Sequence, residues 1–177
     1  MKLFNFIPNL LTLTNLFFGC VAVVFGVMGD LEKLALFVSL GLICDFFDGF
    51  FARLLKVDNK LGVQLDSLSD LVTFGLTSSI VILNIIGSST FVIENSSNFL
   101  ISLTPYLAFL ITLSSSYRLA KFNVSTIGTD FTGLPTPANA ILIVFLPQFI
   151  ERFQLELIFE NIFISVSYTH LTLPTSY

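Results

Sequence analysis

The chain has 177 residues, 54% of them hydrophobic and 11% charged, with a net charge of −4 and a mean hydropathy of +0.90. Soluble domains carry about 25% charged residues, so this chain has too few to cover a water-facing surface and reads as an integral membrane protein. No basic cluster is present, which argues against a nucleic-acid partner. The two cysteines lack a CxxC spacing, which argues against a disulfide framework.

A membrane-spanning helix needs about 20 mostly apolar residues. In chain order, the first candidate runs from Leu10 to Met28, with Pro8 ahead of it as a helix-start signal. No small-residue cleavage site precedes it, so it reads as a retained helix and not a removed signal peptide. Gly29 to Lys33 is a polar turn. The second candidate, Leu34 to Leu55, turns acidic in its second half. Lys56 to Gly62 reads as a loop. The third, Val63 to Gly87, carries Asp66 and Asp70 near its start. Ser88 to Asn98 is a polar loop, the fourth span covers Phe99 to Phe122, and Asn123 to Gly133 is the next loop. A fifth span runs from Pro135 to Ile150, and a sixth begins near Leu155 and soon loses its apolar character. With no internal repeat, the expectation is one all-α polytopic bundle of about six transmembrane helices, the last apparently truncated. Cys20 and Cys44 lie in apolar runs and read as buried small apolar residues.

Residues 1–165 are taken as the transmembrane domain. Residues 166–177 break the pattern with clustered Ser and Thr and the single histidine, His170. This tail is similar to adaptor sequence joined to a truncated gene, so neither His170 nor Tyr177 is expected to carry chemistry. With the N-terminus inside, Lys2, Arg53, Lys56, Lys60, Arg118 and Lys121 fall on the inner side. Only Lys33 and Arg152 fall outside. This matches the positive-inside rule and sets the acidic window at the cytoplasmic side of an inner cell membrane.

That window, residues 45–70, holds Asp45 and Asp48 three apart and Asp66 and Asp70 four apart. Each pair shares one helix face. Two antiparallel helices can therefore present four carboxylates across a cleft. A charge at the bilayer centre costs about 2.5–3.5 kcal/mol even on lenient scales, so a cationic partner is expected. Oxygen donors select Mg²⁺, Mn²⁺ or Ca²⁺, and four carboxylates suffice for two ions. A metal pair suits phosphoryl transfer, and a carboxylate left over can accept a nucleophile's proton. Gly49 and Ala52 leave room close to the backbone for a flat or bulky group, Gly62 opens the third helix one turn before Asp66, and Arg53 can pair with a phosphate. The competing readings are structural ion pairs with lysines, or a cation or proton path.

The run Asp45-x-x-Asp48-Gly49-x-x-Ala52-Arg53, eight residues, then Gly62-x-x-x-Asp66-x-x-x-Asp70 resembles the signature of the CDP-alcohol phosphatidyltransferases at all eight fixed positions. The resemblance implies that Asp45, Asp48 and Asp66 bind a di-metal centre of Mg²⁺ or Mn²⁺. It also implies that Asp70 lies at that centre as general base, and that the glycines and Ala52 make room for cytidine. The implied reaction displaces CMP from a CDP-linked lipid by an alcohol, and a homodimer is implied. The segments "IPNLLTLTNLFFGCVAV", "YRLAKFNV" and "FTGLPTPANA" are similar to the phosphatidylserine synthase branch. This implies CDP-diacylglycerol and L-serine as substrates. Arg118 and Lys121 would then hold the serine carboxylate with help from Asn123, or else anchor a helix end at the headgroups. Asn9 and Thr12 would touch the nucleotide or its phosphates, or else belong to an interfacial helix start. Gly133, Pro135 and Pro137 more simply shape the entry to the fifth helix. The alternatives are another acceptor, glycerol 3-phosphate or inositol, and, from a different class, a cation transporter.

Overall fold

The computed structural model describes residues 6–55, 60–95, 97–124 and 135–152. Among them there is no strand. Four helices are long and apolar enough to cross a membrane: α1 (Phe6–Val27), α2 (Leu31–Leu54), α3 (Lys60–Gly87) and α4 (Phe99–Val124). The chain is an integral membrane protein with an all-α bundle. The expected fifth span does not continue as one helix. It divides into α5 (Thr136–Val144) and α6 (Leu146–Arg152), because Pro147 lacks an N–H and its ring crowds the carbonyl one turn back. Lys2, Lys56, Gly133, the sixth span from Leu155 and the tail with His170 and Tyr177 lie outside the described residues.

Local signals explain the helix ends. Gly29 has φ +82° and closes α1: its N–H reaches Gly26 O at 3.1 Å, and the Asp30 N–H reaches Phe25 O at 2.9 Å. That is the paired C-terminal motif for which a left-handed glycine is suited. Asp30 then caps α2 by accepting from the Lys33 N–H at 3.0 Å. Asn98 caps α4 in the same way through the Leu100 N–H at 3.1 Å. Pro105 imposes a 3₁₀ turn over Thr104–Ala108 inside α4. A one-turn helix, Thr90–Glu94, lies within the expected loop between α3 and α4.

The buried stripe of α1 is Pro8, Thr12, Asn15, Gly19, Ala22 and Gly26. Its spacing alternates between four and three, so it faces one direction. It is small and polar, while Phe17, Val24 and other large apolar residues point outward. In lipid the hydrophobic effect does not separate helix from helix, and close backbone approach does much of the work. A Cβ on Gly26 would meet Leu34 Cδ1 at 2.5 Å and Ile80 Cγ2 at 2.6 Å; one on Gly19 would meet the Thr73 backbone at 2.9 Å. The apolar core of Ala22, Leu34, Ala35, Val38, Phe74, Ile80, Val81, Ala140 and Val144 joins α1, α2, α3 and α5. The outward face also corrects the reading of the cysteines. Cys20 is exposed and Cys44 only half-buried, because an apolar neighbourhood in a membrane chain is as compatible with lipid as with the core.

α3 is not uniform. Residues Leu71–Leu76 form a π-helical segment directly after Asp70. Hydroxyls of Thr77, Ser78 and Ser79 bond back to the carbonyls of Thr73, Phe74 and Gly75 at 2.5, 2.6 and 3.2 Å. They supply partners where the wide turn has displaced the ordinary ladder.

Candidate metal and phosphoryl-transfer site

α2 and α3 bring their carboxylates together as the spacings predict. One oxygen from each of Asp45, Asp48 and Asp66 lies within 4.8 Å of the others. Oxygens bound to one divalent ion at about 2.0–2.6 Å each sit roughly 4–5 Å apart when opposite, so this trio can hold a metal ion. Asp70 stands beside them, its carboxyl close enough to that of Asp45 for the two groups to interact directly. Its Oδ1 is buried without a hydrogen-bond partner. Clustered carboxylate oxygens, Asp48 buried and the others half-buried, with one Asp70 oxygen unpartnered, fit a hard divalent cation by their own chemistry.

Asp45 lies nine residues before the end of α2 and Asp70 ten residues after the start of α3. Asp48 and Asp66 lie six residues from the same helix ends, so at about 1.5 Å per residue the cluster sits about 9–15 Å in from that end of the bundle.

α1 supplies the wall that the motif does not contain. The Thr12 hydroxyl donates to Asp48 Oδ2 at 2.6 Å, with Pro8 O at 3.0 Å as a second acceptor. Thr12 and Asp48 are both buried, at 4% and 5% exposure. One turn along, Ser69 donates to Thr12 O at 3.2 Å and Thr73 to Asn15 O at 3.2 Å. These bonds lock α3 onto α1 beside the carboxylates. Asn9 is half-buried near the start of α1.

The remaining motif residues lie along α2 and at the start of α3. A Cβ on Gly49 would meet only Arg53 Nη2, at 3.8 Å, so the space beside it is open. Arg53 is exposed, and its Nε donates to Gly49 O at 3.0 Å. Ala52 and Gly62 are half-buried.

A cavity of about 170 Å³ opens on Asp66 and Asp70 from the α4 and α5 side, where Arg118, Asn123 and Thr136 line it. Asn123 Nδ2 donates to Ser67 Oγ at 2.9 Å, which ties the end of α4 to α3. Arg118 and Asn123 thus share the cavity with Asp66 and Asp70, whereas Lys121 is exposed and outside the cavity lining. Asn15, Ser67, Ser69 and Thr136 escaped the sequence reading. The available signal was polar residues inside apolar spans, which in lipid tend to face protein.

The model for CDP-alcohol phosphatidyltransferases matches residues 5–171. The chain belongs to the CDP-alcohol phosphatidyltransferase family. It is 31% identical over 148 residues to the CDP-diacylglycerol–serine O-phosphatidyltransferase of Bacillus subtilis, covering 80% of this chain and 75% of that one. It is 31% identical over 140 residues to the enzyme of the same name from Helicobacter pylori, covering 77% and 55%. It is 33% identical over 147 residues to the archaetidylserine synthase of Methanothermobacter thermautotrophicus, covering 80% and 58%. The chain thus spans little more than half the length of several relatives in the CDP-alcohol phosphatidyltransferase family. No solved structure matches it at a significant level.

Proposed function

We propose that the protein transfers the phosphatidyl group of CDP-diacylglycerol to L-serine, giving phosphatidylserine and CMP. The observation that carries this reading is the carboxylate trio within 4.8 Å, beside a small cavity that Asp66 and Asp70 share with Arg118 and Asn123. The cavity's 170 Å³ is below the roughly 300–1,000 Å³ of drug-sized sites and suits a small polar acceptor. The relatives' names differ in the lipid but share serine, which favours serine over glycerol 3-phosphate or inositol.

Two divalent ions, Mg²⁺ or Mn²⁺, held by Asp45, Asp48, Asp66 and Asp70 would neutralise the diphosphate and stabilise departing CMP. Arg118 and Asn123 hold the serine carboxylate and orient the hydroxyl toward Asp70. Asp70 takes the hydroxyl proton as the serine Oγ–P bond forms at the phosphorus bearing diacylglycerol and the P–O bond to CMP breaks. The open space at Gly49 and Ala52 takes the cytidine. Gly62 lets α3 approach, and Arg53, Asn9 and Thr12 serve the nucleotide side, Thr12 through Asp48. Lys121 serves as a headgroup anchor at the same membrane face. The lysine and arginine distribution supports a cytoplasmic side for that face, and an inner-membrane location and a homodimer are part of the same proposal. A transport path is disfavoured because the bundle beyond the site is closed by Leu34, Val38, Ile80, Val81 and Val144.

The test is CMP release from CDP-diacylglycerol in detergent micelles, with serine, glycerol 3-phosphate, inositol or no acceptor, each with and without Mn²⁺ or Mg²⁺. Release that needs both metal and serine is expected. Release with another acceptor keeps the chemistry and overturns the acceptor. A folded full chain that releases no CMP with any of them overturns the reading.

A further inference from the structure

Asn15 is fully buried, and neither its Nδ2 nor its Oδ1 has a hydrogen-bond partner. Buried amides are rarely left so. It sits in the seam of three helices. Its carbonyl accepts from Thr73 on α3 at 3.2 Å, and its Oδ1 lies 2.9 Å from where a Cβ on Gly41 of α2 would stand. About one turn toward the site, each helix carries a residue of the carboxylate cluster or its support. These are Thr12 on α1, Asp45 on α2, and Ser69 and Asp70 on α3. The second orphan in this neighbourhood is Asp70 Oδ1. One helical turn rises about 5.4 Å, and a bent water bridge of two ~2.8 Å hydrogen bonds spans roughly 4–5 Å, within the reach of side chains one turn apart. A single buried water, which requires two or more polar partners, matches both orphans.

We propose that Asn15 is a positioning residue: through one buried water its amide holds the Asp45–Asp70 carboxyl pair in the orientation that receives the metal. This rests on the reading of the cluster as a divalent-cation site. Groups that orient metal ligands in this way typically change affinity 10–100-fold when removed.

The experiment is Mn²⁺ titration of the detergent-solubilised full chain, followed by electron paramagnetic resonance without lipid or serine. Thermal unfolding of the metal-free protein is measured beside it. Asn15→Leu should bind Mn²⁺ about 10–100-fold more weakly and unfold at no lower temperature than the parent. Asn15→Ser, which keeps a hydroxyl for the water, should bind more tightly than Asn15→Ala. Parent-like affinity in the Leu variant overturns the proposal. If that variant does not fold, the Ser and Ala pair decides, since the two leave nearly the same space, and equal affinities overturn it. A parent chain that binds no Mn²⁺ sinks the metal reading itself, a result distinct from either.

Discussion

The two ends of the bundle are built on opposite terms. At the α1–α2 turn and below it, Gly26 packs against Leu34 and Ile80, Asn84 donates to Gly26 O at 3.0 Å, and the helix ends are capped. At the other end, four carboxylates converge, a buried Asp70 oxygen and the Asn15 amide lack partners, and a cavity remains open. The closed end illustrates how a membrane bundle is held together, by small residues and satisfied polar atoms. The open end concentrates unsatisfied groups where a cation and a polar substrate would supply what is missing.

Substitutions at the two ends should separate these roles. The largest effect is expected from Asp70→Asn, which removes the proton acceptor. Turnover should fall about 10²–10⁴-fold, while CDP-diacylglycerol binding stays measurable by equilibrium binding to the detergent-solubilised chain. Loss of both together would make Asp70 chiefly a metal ligand. Thr12→Val comes next: it keeps the shape and deletes the donor to Asp48. Mn²⁺ affinity should weaken by about 10–100-fold with little change in unfolding temperature.

Gly26→Ala tests the closed end. The new methyl would press on Leu34 and Ile80, and overpacking of this kind costs about 1–3 kcal/mol. Thermal unfolding should come earlier while Mn²⁺ affinity is unchanged. A parallel loss of affinity would show that the ends are coupled and would break the comparison. The smallest effect belongs to Asp30→Ala. Hydrogen bonds from the Lys33 ammonium, and then from its backbone N–H, hold the Asp30 carboxyl below the usual carboxylate range. A lowered folded-state value stabilises at pH above the unfolded value of about 3.9 and is lost as pH falls through the folded one. The parent and variant should therefore differ slightly in unfolding temperature at neutral pH and converge in acid.

Much of this was legible along the chain. The apolar runs located four spans, because a membrane demands length and hydropathy within a single segment. The spacings of Asp45 with Asp48 and Asp66 with Asp70 put each pair on one face, because helical geometry is local. Proline positions were harder to weigh: Pro147 divides the fifth span, whereas Pro8 sits harmlessly in the first turn of α1. The π segment after Asp70 was not visible, since its hydrophobic pattern is continuous with the helix on either side.

The amino-acid order alone determined that the chain is a membrane bundle with two carboxylate pairs on neighbouring helices. Only the tertiary structure decided that Thr12, 36 residues away, donates to Asp48. It likewise decided that Asn123, 56 residues from Ser67, closes one side of a cavity, and that Asn15 is buried between Gly41 and Thr73. Helix periodicity is set by bonds a few residues long. Which face meets which depends on glycines and hydroxyls at helix contacts, and those act only once the helices have packed.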